Sequence, residues 1–387
     1  MIIYAIWHAL TMSFAMGWEI LWPLILGFGL SGAIQTVVSH KQMSVLLPDD
    51  KPKTIAKASL LGAASSSCSY AAVALARSIF KKGGNFTSAM AFEMASTNLV
   101  IELGIIMALL LGWQFTAAEF VGGPIMIALL AIIFRRFLKK RLVQEARAQT
   151  DKGLVGRMEG HAAMDSMAVE SKGTIWQKLI SQEGRTATSH FFVMDWVSIW
   201  TDIVLGLLIA GALAAWVPQH VWQSVFFVNH PLIADIWGPL VGPLIAVVSF
   251  VCSIGNVPLA AVLWNGGISF GGVVSFIFAD LIIIPIIRIY AKYYGWKMAG
   301  FLFVAFYAAM TIAGYIIEAL FAVLHLTPHF RNAKVFNAAV SWNYTSVLNI
   351  IFLAAAAALV WRFLRTGGPM MLKMMRKGTE DQAQTAR

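Results

Sequence analysis

Ser65-Ser66-Ser67-Cys68-Ser69 and Cys252-Ser253-Ile254-Gly255-Asn256, the latter followed by Pro258, decide how this chain folds. Each interrupts an apolar run, Ile55–Phe80 in the first case and Gly238–Trp264 in the second, with small and polar residues. The two cysteines lie 184 positions apart, and the register continues around them. At the same shift Ala74-Leu75-Ala76 falls on Pro258-Leu259-Ala260, Gly83 on Gly267, Phe86 on Phe270, Phe92 on Phe276 and Ala95 on Ala279, while Glu19 lands one position from Asp202. Matches that hold register over such a length mark an internal repeat, the common building plan of secondary transporters.

The rest of the chain sets the solvent. Hydrophobic residues make up 59% of the 387 and charged residues 12%, about half the share of a soluble domain, and mean hydropathy is +0.72. Such a surface is solvated by lipid. Seven uninterrupted apolar runs have about the length that crosses the hydrocarbon core as a helix: Trp18–Val38, Phe86–Trp113, Phe115–Phe134, Val197–Val217, Phe270–Ile287, Met298–Leu324 and Tyr344–Trp361. They do not alternate polar with apolar as barrel strands do, so the spans are helices. Residues 1–17 lack the basic start of a cleavable signal and read as an apolar or interfacial lead-in. The net charge of +10 is carried by loops and flanks, without a basic helix interleaved with aromatics, which argues against a nucleic-acid partner. Both cysteines sit in apolar segments, which makes a disulfide framework improbable. Without a Walker glycine loop, a Ser-His-Asp order, His-Glu-x-x-His or Cys-x-x-Cys, the reading is not an enzyme, with no cofactor and no resident metal.

Charge also sets the topology. If the two interrupted segments cross the membrane fully, basic residues divide almost evenly between its faces, against the positive-inside rule. If both are re-entrant hairpins, 27 of the 29 Lys and Arg lie inside, and only Arg331 and Lys334 lie outside. The expected fold is therefore an all-α integral membrane protein of two inverted repeats, each with three spans and a re-entrant helical hairpin, plus one extra C-terminal span. The expected divisions are a first membrane repeat over 1–138, a partly disordered cytoplasmic linker over 139–192, a second membrane repeat over 193–324, a loop and final span over 325–364, and a cytoplasmic tail over 365–387. A homo-oligomer is compatible with this plan.

The hairpins bring their tips to the bilayer midplane, where irregular backbone needs partners other than lipid. Ser66, Ser67, Cys68 and Ser69 from one tip, with Cys252, Ser253, Gly255 and Asn256 from the other, are the expected solute-binding groups, and Asn98 adjoins them. Small residues also serve close helix packing. Paired thiols suit a soft, thiophilic species, although buried cysteine also behaves as a small hydrophobe. Carboxyls inside apolar runs are costly and usually face a cavity or partner. Glu93, Glu102 and Asp280 are the expected proton or cation couplers, with Asp280 the repeat equivalent of Ser96. Glu318 lies in the next span, and Glu19 and Asp202 read as interfacial. Met158, His161, Met164 and Met167 form a soft-ligand cluster in the linker, where spacing is loose.

The run from Ser67 through Asn98, and Phe250-Val251-Cys252-Ser253-Ile254-Gly255-Asn256-Val257-Pro258-Leu259-Ala260 with Gly266-Gly267, resemble the duplicated signature of a bacterial permease family. That family includes the organoarsenical efflux permeases and predicted metal-export relatives. The resemblance covers most of both halves. It implies a multi-pass permease of the inner (plasma) membrane, exporting a thiophilic toxicant such as a trivalent organoarsenical or a soft metal species. Many relatives carry Cys-x-Cys at the tip, whereas this chain has Cys68-Ser69-Tyr70 and Cys252-Ser253-Ile254. Two other readings stay open on the residues: a transporter of a sulfur-containing or other small anion, and a membrane thiol/quinone oxidoreductase in which Cys68 and Cys252 cycle.

Overall fold

Backbone in hydrocarbon satisfies its own hydrogen bonds or pays several kcal/mol per orphaned group, so apolar runs of this length close into helices. A computed structural model of the chain describes residues 2–37, 47–66, 69–81, 83–150, 175–249, 253–328, 330–331, 333 and 344–372. Among them are sixteen α-helices and one 3-10 turn, and no strand. The first half runs α1 (Ile2–Val37), α2 (Pro52–Ser65), α3 (Ser69–Lys81), α4 (Phe86–Asn98), α5 (Ile101–Leu110) and α6 (Trp113–Phe137). Then come α7 (Lys140–Thr150) and α8 (Ile175–Ile180). The second half runs α9 (Gln182–Trp216), the short α10 (Gln219–Val225), α11 (Pro231–Ser249), α12 (Ser253–Gly266), α13 (Phe270–Phe278) with a 3-10 turn (Ala279–Leu281), α14 (Ile284–Tyr294) and α15 (Trp296–Val323). The final helix is α16 (Tyr344–Arg365).

Shifting the first half by 184 lays each helix on its counterpart, and the agreement extends to local chemistry. Asn85 caps α4 by accepting from the Thr87 and Ser88 amides, and Ser269, 184 positions on, caps α13 through the Gly272 amide. Gly83 and Gly267 both take a left-handed φ, at 100° and 112°, where a side chain would be strained. Arg147 donates to the carbonyls of Phe80 (3.0 Å) and Gly84 (3.2 Å) and stacks on the Phe80 ring at 4.1 Å. Arg331 repeats this on the equivalent partners, donating to Trp264 (2.9 Å) and Ile268 (2.7 Å) and stacking on Trp264 at 4.4 Å.

The chain enters and leaves each pair of interrupted helices at one end. The Asn85 amide donates to the Leu47 carbonyl at 2.9 Å, and Ser88 Oγ to the Asp49 carbonyl at 2.6 Å, so the residues before α2 join those after α3. In the second half Gly266, the last residue of α12, and Gly267, which follows it, leave no room for a Cβ against Trp222 and Val228, before α11. These two bases lie at opposite ends of α6. Phe134, in its last turn, stacks on Phe86, whereas Phe115, in its first, meets Trp264 at 5.1 Å and Phe270 at 4.7 Å. Nineteen residues of helix separate the two phenylalanines by about 28 Å, close to the thickness of a hydrocarbon core.

Among the described residues four helices are long and apolar enough to cross a membrane alone, and up to seven spans result if each bent pair is one. The bent pairs depart from the straight runs read in the sequence. Phe86–Trp113 breaks at Leu99-Val100 with a 41° bend, and Phe270–Ile287 breaks at Ile282-Ile283 with a 40° bend. Residues 2–17, read as a lead-in, are the first turns of α1, which bends by 48° between Tyr4–Ala15 and Ile20–Leu30. Near that bend Asn349 of α16 donates to the Trp18 carbonyl (2.8 Å) and accepts from the Trp22 amide (2.9 Å), occupying an i→i−4 pair of the helix ladder. At the start of the linker α7 is docked: Thr150 Oγ1 donates to the Tyr293 carbonyl at 3.1 Å, and Arg77 donates to the Thr150 carbonyl at 3.3 Å.

Replacing Arg147 or Arg331 by Ala frees two carbonyls and an aromatic face at one base. Each change is expected to cost about 1–3 kcal/mol and to lower the thermal midpoint in detergent. Lys in the same places restores less than half of that loss, because it lacks the planar fork.

Candidate functional site

The two broken pairs and the first interruption converge. α2 ends with Ser66 in a left-handed conformation (φ 38°), and α3 begins at Ser69. The Ser66 hydroxyl donates to Glu102, and the Ser69 hydroxyl donates to Asp280 Oδ2 at 2.6 Å. Two hydroxyls three residues apart thus tie the first interruption to a carboxyl from each half. Glu102 lies in the first turn of α5, where the exposed amides favour negative charge. Asp280 lies in the 3-10 turn that ends α13, and Asn98, the last residue of α4, reaches its Oδ1 at 3.5 Å. Glu93, one turn before the break in α4, accepts from the Tyr290 hydroxyl of α14.

Glycines allow this approach. A Cβ on Gly123 of α6 would collide with Leu99 at the first break, and one on Gly122 would lie 2.9 Å from Phe278 at the second. α6 therefore touches both breaks at its midpoint. Gly27 of α1 gives the same clearance to Glu102.

Buried polar atoms almost always have a partner. Around the breaks several have none among the described residues: Glu93 Oε2, Asn98 Oδ1, both carboxyl oxygens of Glu119, and Asn256 Nδ2. All four residues are fully buried. Asn256 stands in the first turn of α12 with Ser253 and Gly255, and its Oδ1 receives the Ser249 hydroxyl at 3.4 Å. α12 packs on α5, α9 and the 3-10 turn.

Of the residues expected from the sequence, Ser66, Ser69, Asn98, Glu102 and Asp280 form one connected cluster. Glu93 adjoins it on α4, with Asp280 close enough for its charge to act on Glu93, and Ser253, Gly255 and Asn256 are buried on α12. Ser67, Cys68 and Cys252 lie outside the described residues, as do Met158, His161, Met164 and Met167. Glu19 and Asp202 fall on α1 and α9, and their side chains lie outside the described set. Glu318 accepts from the Gly271 amide at 2.6 Å and so caps α13. Among the described residues no group of three His, Cys, Asp or Glu is arranged to hold a metal ion. Sequence reasoning passed over Glu119. A single carboxyl inside the apolar run Phe115–Phe134 was the available signal.

Long apolar helices around a buried polar centre, with the chain broken beside its carboxyls, define a multi-pass membrane permease with a small solute as its cargo. The family comparison agrees: the chain belongs to the ArsP_1 family, described as "Predicted permease", whose model matches residues 5–319. It is also similar to a Mycobacterium tuberculosis protein named "Putative permease Rv2963", at 62% identity over 339 residues covering 88% of this chain and 83% of that one. No solved structure matches it. The chain is a transporter and not an enzyme, which removes the oxidoreductase reading.

In a double-mutant cycle on Ser69→Ala and Asp280→Asn, read as thermal stability in detergent, the pair is expected to couple by about 1–3 kcal/mol. Additive effects would show that the hydroxyl does not hold that carboxyl.

Proposed function

We propose that this permease carries its solute past the tips of two inverted hairpins in the plasma membrane, and that the solute is a thiophilic toxicant, a trivalent organoarsenical or a soft metal species, moved outward. The observation that carries this reading is the clamp on the first interruption, where Ser66 meets Glu102 of one half and Ser69 meets Asp280 of the other. A segment held by both halves at the depth where both halves break is suited to alternating access, which moves one repeat against the other around a central site.

Three observations support the inverted, re-entrant arrangement. The residues flanking each interrupted pair meet each other, the two bases lie at opposite ends of α6, and the basic residues divide by face as the positive-inside rule asks. The first base then opens to the cytoplasm and the second to the outside. For the substrate, Cys68 directly precedes Ser69 and Cys252 directly precedes Ser253 in the sequence, so each half offers one thiol next to a residue of its interruption. Sulfur ligands favour soft acceptors.

Cells carrying the wild-type chain are expected to accumulate less methylarsonous acid than cells without it, and Cys68→Ala/Cys252→Ala is expected to lose that difference by at least about ten-fold, worth about 1.4 kcal/mol in solute interaction. A panel that adds soft metal ions and sulfur anions decides the class. A wild-type chain that changes the level of no member of the panel overturns the substrate reading.

Topology is tested separately in the Cys68→Ala/Cys252→Ala background. A membrane-impermeant maleimide added to intact cells is expected to label Asn229→Cys, at the second base, and to leave Lys53→Cys, at the first, unlabelled. Equal labelling of both from outside overturns the inverted arrangement.

A further inference from the structure

Glu119 stands two turns inside α6 and is fully buried. Every other carboxyl placed in the site region has a donor: Asp280 has Ser69 and Asn98, Glu102 has Ser66, Glu93 has Tyr290, and Glu318 has the Gly271 amide. Among the described residues Glu119 has none on either oxygen. A carboxyl kept for packing normally finds at least one partner, since an unpaired buried charge costs more than any contact of its stem returns.

The elements packed against α6 show what neutralises it. α4 brings Glu93 and α5 brings Glu102, and Asp280, in the 3-10 turn after α13, lies close enough for its charge to act on Glu119. α15 brings Lys297, Tyr307, Tyr315 and Glu318. Tyr307 is engaged with the Leu240 carbonyl, Tyr315 with the Ile236 carbonyl, and Glu318 with the Gly271 amide. Lys297, the one base on these elements, has a largely exposed side chain 3.8 Å from Glu145 at the end of the helix. The remaining neighbour, α13, has no titratable side chain. A metal ion needs several oxygen ligands, and no such group of residues is arranged here among those described. A proton removes the charge without a coordination shell.

We propose that Glu119 is a proton-carrying residue of the transport cycle, binding one proton per turnover and exchanging it with Asp280. The exchange conserves charge. A protonated Asp280 gives its proton to the Glu119 carboxylate, leaving Asp280 charged and held by Ser69 and Asn98, and the reverse step restores the start. Asp280 is the member with contacts to the first interruption, so a solute arriving there favours one arrangement of the proton over the other. This rests on the permease reading above and adds the coupling group to it.

The test uses the full chain in proteoliposomes. In infrared difference spectra between acid and alkaline pH, the wild type is expected to show a protonated-carboxyl stretch that is missing in Glu119→Gln and retained in Glu318→Gln. Identical spectra for the wild type and Glu119→Gln overturn the proposal. With methylarsonous acid as probe and an imposed pH gradient, Glu119→Gln is expected to lose at least about ten-fold of gradient-driven accumulation. Glu119→Asp restores part of it with a displaced pH profile. Gradient-driven transport by Glu119→Gln at the wild-type rate also overturns the proposal. If the wild type moves no arsenical, the substrate reading falls and the infrared comparison still decides. Elution profile and thermal midpoint establish that each variant is folded. Should Glu119→Gln not fold, the Glu119→Asp spectrum takes its place, and an unshifted carboxyl stretch there counts against the assignment.

Discussion

Every backbone group in hydrocarbon needs a partner, and this chain breaks its helices where lipid cannot supply one. Where the chain breaks after α2, α4 and α13, serine, asparagine and carboxyl side chains pair with one another. Ser66 and Ser69 engage carboxyls of the two halves, and Asn98 closes α4 onto Asp280. The polar centre therefore follows from the breaks. Were the helices continuous, the same carboxyls would carry an insertion cost without return.

α6 organises the remainder. It presents glycine to Leu99 and Phe278 near its midpoint and an aromatic residue to each interrupted pair at its ends. The paired arginines act at the same two ends. Each engages two carbonyls and a ring, on equivalent residues 184 positions apart. In the first half that arginine belongs to α7, so the stretch joining the halves begins docked on the end of α3.

Much of this was legible in the residues. Apolar run length gave the apolar helices, and the shared register around Cys68 and Cys252 pointed to the helix ends at Ser66 and Ser69 and at Ser249 and Ser253. Asp280 and Glu102 announced themselves as charges in apolar surroundings. The second pair of breaks did not. Leu99-Val100 and Ile282-Ile283 are apolar and β-branched or bulky, so hydropathy runs straight through them, and only Pro285, in the first turn of α14, hints that a helix begins there. Arg147 was read as part of a solvated linker because its partners, Phe80 and Gly84, lie more than sixty residues away. Glu119 was hidden by its neighbours, whose hydrophobicity made one acid look incidental.

The clasp of Asn349 on α1 has a consequence for biogenesis. Trp18 and Trp22 leave the ribosome early, yet the amide that fills the gap between them belongs to a residue 327 to 331 positions later. That opening in α1 is therefore closed only once α16 has docked, and a chain lacking α16 leaves the Trp18 carbonyl and the Trp22 amide without this partner.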